Sequence, residues 1–80
     1  MMTLFEEIVT LTEPYLGPAA HRFVSRQIAF HFNKPPEELE PGDLPELADW
    51  ASATLSLLTD DQKLVKEYSH EILMLAGSHE

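Results

Sequence analysis

Helix-breaking residues divide the chain into segments that have the length of ordinary helices. Gly17-Pro18 makes the first division, because glycine reaches the left-handed conformation that ends a helix and proline suits the first position of the next. Asn33 and Pro35-Pro36 make the second, and Pro41-Gly42 is a turn. Between these points apolar residues recur at intervals of three and four, and no segment alternates as a strand does. The pattern predicts an all-α protein.

Four helices are expected, with one short extra helical turn between the second and the third. The expected bounds are about 4–15, 18–32, 44–58 and 60–76. Pro14 should end or kink the first helix near its own position. A chain of 80 residues is one domain, so we predict a four-helix bundle spanning residues 1–80.

Three capping boxes are expected at the helix starts. In such a box two side chains three residues apart each bind the backbone amide of the other residue. The expected pairs are Thr3 with Glu6, Asp43 with Glu46, and Thr59 with Gln62.

The composition excludes several classes of protein. Zero cysteine removes disulfides and thiolate metal sites. Fourteen acidic residues against five Lys and Arg, a net charge of −9, argue against direct binding to nucleic acid or to an anionic membrane. The start of the chain lacks the basic region of a signal peptide, and no apolar run reaches the length of a membrane span. We expect a cytoplasmic protein.

The residues that carry chemistry lack the spacing that chemistry needs. No two histidines stand four apart, and the Glu-x-x-His spacing of di-iron bundles occurs once, from Glu67 to His70, where two copies and two further glutamates are needed. No Gly-x-Ser-x-Gly elbow and no phosphate-binding glycine loop is present. We therefore expect no catalytic residue, no metal site and no cofactor.

The helices carry more bulky apolar residues than their core stripes use. The surplus residues are Leu4, Leu11, Phe30, Trp50, Leu57, Leu73 and Met74. Trp50 and Leu57 are seven apart, so they lie two turns apart on one face. One interpretation is that a bundle of wide stripes leaves scattered residues exposed, which is normal. The other is a second apolar surface for another protein or for a second copy of this chain.

Charge is segregated along the chain. Residues 18–34 carry Arg22, Arg26 and Lys34 without an acid, whereas residues 37–61 carry eight acids without a base. Arg22 and Arg26 share a helical face with Phe30 one turn further on. This basic face either pairs with acids of a neighbouring helix or forms a contact patch for an acidic partner, and charge alone does not separate the two.

The segment Tyr15-Leu16-Gly17-Pro18-Ala19-Ala20, followed by Phe23-Val24 and Arg26, resembles a Tyr-(Ile/Leu)-Gly-Pro-x-Ala corner. That corner belongs to a small helical accessory domain of bacterial signalling proteins, such as Ser/Thr kinases and other regulators. The resemblance covers residues 11–26 and implies a bacterial regulatory or adaptor module. It also implies that Tyr15 and Gly17-Pro18 are structural, with Tyr15 packing where two helices meet.

Together these patterns favour a non-enzymatic protein–protein interaction module or regulatory adaptor that forms a homodimer. The expected partner-binding residues are Phe30, Trp50 and Leu57 as apolar anchors and Arg22 and Arg26 as polar clamps. The alternative is an acidic decoy, of the kind encoded by phages or mobile elements, that occupies a nucleic-acid-binding protein by presenting carboxylates in place of phosphates.

Overall fold

The computed structural model describes residues 2–78, and helices dominate them. The chain is 83% helical, with no strand in the described part, so the all-α prediction is confirmed. The α-helices in residues 2–78 are α1 (Leu4–Leu16), α2 (Ala20–Phe32), α3 (Leu44–Leu58) and α4 (Gln62–Ser78). Short 3₁₀ turns span Gly17–Ala19, Pro36–Glu38 and Pro41–Asp43.

The number of helices depends on how the first corner is counted. A 3₁₀ turn joins α1 directly to α2, and another joins directly onto α3. Residues 2–78 therefore hold three long continuous helical runs, at 4–32, 41–58 and 62–78. The prediction of a four-helix bundle is confirmed only as far as its all-α class.

The first predicted capping box is present at the start of α1. The Glu6 amide donates to Thr3 Oγ1 at 3.1 Å, and the Thr3 amide donates to Glu6 Oε1 at 3.1 Å. Hydrogen bonding of Thr3 to the Glu6 carboxylate, from the Thr3 backbone first and the Thr3 side chain second, holds the pKa of this carboxyl below its ordinary value. The box therefore gives hydrogen-bond acceptors to two backbone amides that would otherwise be unpaired in the first turn of the helix.

The corner after α1 differs in detail from the prediction. Pro14 lies inside α1, which continues to Leu16 instead of ending at about residue 15. Gly17 then ends the helix with φ 58° and ψ −135°, a backbone conformation that favours glycine, and its amide donates to the Glu13 carbonyl. The 3₁₀ turn Gly17–Ala19, which contains Pro18, precedes α2, so α2 begins at Ala20, two residues after its predicted start.

The other two predicted capping boxes are wrong. Asp43 ends a 3₁₀ turn with φ −82° and ψ −17°, and from this helical conformation its side chain makes no cap hydrogen bond. At α4 the cap is Asp61, whose Oδ1 accepts from the Lys63 and Leu64 amides at 3.1 and 3.2 Å. Thr59 Oγ1 instead accepts from the Asp61 amide, at 3.2 Å.

The Asp61 cap explains why α4 is displaced from its predicted bounds of 60–76. A cap residue stands just before the first helical residue, so a cap at Asp61 begins α4 at Gln62. The helix then runs to Ser78, past Gly77, where its end was predicted. By contrast α3 has the predicted bounds, and Asn33 ends α2 in the expected left-handed conformation, with φ 52°.

The chain divides between Glu40 and Pro41 into two compact units. In the first unit the buried side chains are Ile8, Thr12, Ala20, Val24, Gln27, Ile28 and Leu39. The Thr12 hydroxyl is satisfied inside α1, because Oγ1 donates to the Ile8 carbonyl at 2.7 Å. In the second unit α3 packs against α4, and the buried side chains are Leu44, Leu47, Ala48, Ala51, Leu55, Val65, Tyr68, Ile72 and Ala76.

Candidate protein-interaction surfaces

The basic face of α2 consists of Arg22, Arg26 and Phe30. Helix geometry places these three side chains along one side of α2, away from the buried Val24 and Ile28. All three are exposed, and Phe30 keeps 83% of its surface accessible to solvent. Neither guanidinium forms an ion pair with a carboxylate within residues 2–78. The intramolecular pairing that the sequence left open is therefore not observed in that part of the chain.

The acidic face of α3 consists of Glu46, Asp49, Trp50 and Leu57. Trp50 is 44% exposed and Leu57 is 84% exposed, while the stripe from Leu44 to Leu55 on the other side of the helix is buried. Glu46 and Asp49 are exposed and form no ion pair within the described residues. The result is an apolar surface with two carboxylates at the N-terminal end of the helix.

The five predicted binding residues thus fall into two groups on two helices. Arg22, Arg26 and Phe30 stand together in the first unit, and Trp50 and Leu57 stand together in the second. Of the other surplus apolar residues, Leu73 and Met74 on α4 are exposed, whereas Leu4 and Leu11 are half-buried.

One exposed apolar residue was missed because it belongs to a predicted core stripe. The helical spacing predicts that Leu58 lies in the core with Ala51 and Leu55, yet Leu58 is 63% exposed while the other two are buried. Leu58 is the last residue of α3, and α4 begins four residues later at Gln62. Helical spacing shows on which face of α3 a side chain lies, but it does not show where a neighbouring helix that could cover this face begins.

An open groove of about 510 Å³ lies in the first unit, and the sequence did not indicate it. Its apolar lining is Met2, Phe5 and Val9, and its polar lining is Thr3, Glu6, Thr10, His21 and Glu37. The His21 ring meets the Phe5 ring edge to face, with the centroids 5.2 Å apart. Phe5 and His21 are 16 positions apart, so no local pattern in the sequence reports this contact.

Glu6 in this groove is poorly suited to act as a general base. Glu6 is occupied by the cap of α1, and the hydrogen bonds that lower its pKa also make it a weaker base. No group of three or more His, Cys, Asp or Glu side chains that would hold a metal occurs within residues 2–78. None of the helices in the described part is long and apolar enough to cross a membrane.

Comparison with known proteins identifies no relative of this chain. No protein-family model, no curated protein and no solved structure matches it.

Proposed function

We propose that this chain is a non-enzymatic protein–protein interaction module, of the regulatory adaptor kind, that forms a homodimer through apolar helix faces. Phe30, Trp50 and Leu57 are the apolar anchors, and Arg22 and Arg26 are polar clamps. The observation that carries the proposal is the exposure of the anchors, at 83%, 44% and 84% respectively. Large apolar side chains grouped on a surface mark interaction sites.

The free energy gained by burying the three anchors is adequate for a specific contact. Burying an exposed Phe or Leu side chain contributes about 1.5–3 kcal/mol, and aromatic and Arg residues dominate the binding energy of known interfaces. The three anchors together offset a substantial part of the entropy that two chains lose when they associate. The two arginines add specificity, because a guanidinium binds carboxylates through paired hydrogen bonds.

Two further features belong to the same proposal. The corner from Tyr15 to Ala20 resembles that of the accessory domains of bacterial signalling proteins, and the positive φ of Gly17 supports a structural role for it. A regulatory adaptor in the bacterial cytoplasm is the setting that this resemblance favours. The arrangement of the helices as one four-helix bundle is also part of the proposal, and the apolar stripes in the sequence support it.

Sedimentation equilibrium tests the proposal. We expect the wild type to associate beyond its monomer mass of 9.1 kDa, and Trp50→Ala to weaken that association by about 30-fold, as loss of a 2 kcal/mol anchor does. Met74→Ala is the matched control, because Met74 is 62% exposed and lies outside both faces. A wild type that stays monomeric at high micromolar concentration contradicts the homodimer, and an unchanged assembly in Trp50→Ala contradicts the anchor.

The acidic decoy remains a second candidate because of the exposed carboxylates. Of the eight acids in residues 37–61, all except Asp43 are exposed. Such a surface suits a protein that normally binds phosphates. Duplex DNA distinguishes the two candidates. It must displace an acidic decoy from its partner, because both occupy the same site, whereas it leaves an apolar contact unaffected.

A further inference from the structure

We propose that the basic face of α2 in one copy of this chain docks on the acidic face of α3 in a second copy, with the two helices parallel. This inference rests on the proposed homodimer and names the surfaces that meet in it. The two faces carry opposite charges, and each combines charged side chains with exposed apolar ones. Because every copy of the chain carries both faces, a second copy offers an acidic face to the basic one and a basic face to the acidic one.

The order of residues along the helices sets the direction. On α2 the charges come first, at Arg22 and Arg26, and Phe30 follows about 12 Å from Arg22 along the axis. On α3 the charges also come first, at Glu46 and Asp49, and Leu57 follows about 16 Å from Glu46. Both helices therefore begin with charge and continue with apolar surface.

A parallel alignment brings complementary groups together. With Arg22 beside Glu46, the equal rise of the two helices places Arg26 at the level of Asp49 and Trp50. There the guanidinium meets both a carboxylate and an indole face. Phe30 then lies at the level between Trp50 and Leu57, where apolar surface is exposed.

An antiparallel alignment fails the same comparison. With Arg22 at the level of Leu57 it places Phe30 at the level of Asp49, so that charges lie against apolar side chains. With Arg26 at the level of Glu46 it pairs the charges but places Phe30 beyond the start of α3, away from Leu57. Removing a charge from water without a partner is unfavourable, and the alignment that avoids this is selected. The four charged groups are available for the contact, because none of them forms an ion pair within residues 2–78.

A charge exchange tests the contact. The first variant carries Arg22→Glu and Arg26→Glu, and the second carries Glu46→Arg and Asp49→Arg. We expect each variant alone to associate about 100-fold more weakly than the wild type, because like charges then face each other. An equimolar mixture restores association, since the altered faces attract each other and the unaltered faces form the native contact.

The control is Lys63→Glu with Lys66→Glu, which changes the net charge as the first variant does but lies on α4, outside both faces. Circular dichroism of every variant verifies that the helices are retained. Sedimentation velocity then measures the association of each variant and of the mixture. Restoration by mixing, with an unaffected control, supports the proposal.

The remaining outcomes overturn it in distinguishable ways. If the wild type associates and both charge variants associate equally well, the α2–α3 contact is wrong while the proposed homodimer stands. If both variants are weakened but their mixture does not recover, the two faces do not meet each other. If the wild type itself is monomeric, the contact and the homodimer are both wrong.

Discussion

The structure and the sequence pattern assign the N-cap of α4 to different residues, and mutation distinguishes the two assignments. Asp61 Oδ1 accepts hydrogen bonds from the Lys63 and Leu64 amides, at 3.1 and 3.2 Å, whereas the sequence pattern placed the cap at Thr59. Replacing Asp61 by Ala leaves both amides without their acceptor and removes a negative charge from the positive end of the helix.

The expected loss follows from these two contributions. A lost N-cap destabilises by about 1 kcal/mol, and the lost charge adds about 0.5 kcal/mol. Asp61→Asn keeps an acceptor and should lose only the second contribution. Thr59→Ala removes a single exposed hydrogen bond, from the Asp61 amide at 3.2 Å, and should cost about 0.5 kcal/mol.

Thermal unfolding followed by the fluorescence of Trp50 is the suitable assay, because Trp50 lies in the same unit as α4. In a domain of this size each kcal/mol shifts the midpoint by about 4–8 °C, so Asp61→Ala is readily separated from Asp61→Asn and Thr59→Ala, which should have similar midpoints. All are compared at one chain concentration, since association also stabilises the folded state. If Thr59→Ala lowers the midpoint as far as Asp61→Ala does, the assignment of the cap to Asp61 is refuted.

Two further predictions concern single side chains. Ser52 Oγ is buried and has no hydrogen-bond partner in the described part of the chain, so Ser52→Ala should raise the free energy of unfolding by about 1 kcal/mol in urea titrations. Ser56→Ala is the control, because Ser56 Oγ donates to a backbone carbonyl at 2.7 Å; an equal gain there would contradict the explanation. The pKa of Glu6 is lowered from 4.5 by its bonds to Thr3, so its contribution to stability is complete above about pH 4.5 and is lost as the pH falls through the lowered value. Glu6→Gln should therefore flatten the pH dependence of unfolding below that pH, and an unchanged pH profile would show that the box is not formed in solution.

Local patterns predicted the features that depend on neighbouring residues. The box of Thr3 and Glu6 needs only two side chains three positions apart, and the positive φ of Asn33 needs only a residue that tolerates it. The exposure of Phe30, Trp50 and Leu57 follows from their places off the core stripes. Their role in binding remains a prediction.

Features that depend on the preceding backbone or on distant residues were not predictable in this way. Asp43 has the right spacing for a box, but the 3₁₀ turn before it gives its backbone a helical conformation. Asp60 and Asp61 compete with Thr59 for the cap, and the carboxylate is the stronger acceptor for backbone amides. The groove at Phe5 and His21 depends on a contact between α1 and α2 that no short pattern encodes.

The fluorescence of Trp50 tests the central claim most directly, because it is the only tryptophan and lies on a proposed contact face. Acrylamide quenching is measured across a range of chain concentrations in which sedimentation follows the mass. We expect quenching to fall as the dimer forms, since the 44% of Trp50 that is exposed becomes covered. Quenching that stays constant while the mass doubles would show that the chain associates through another surface.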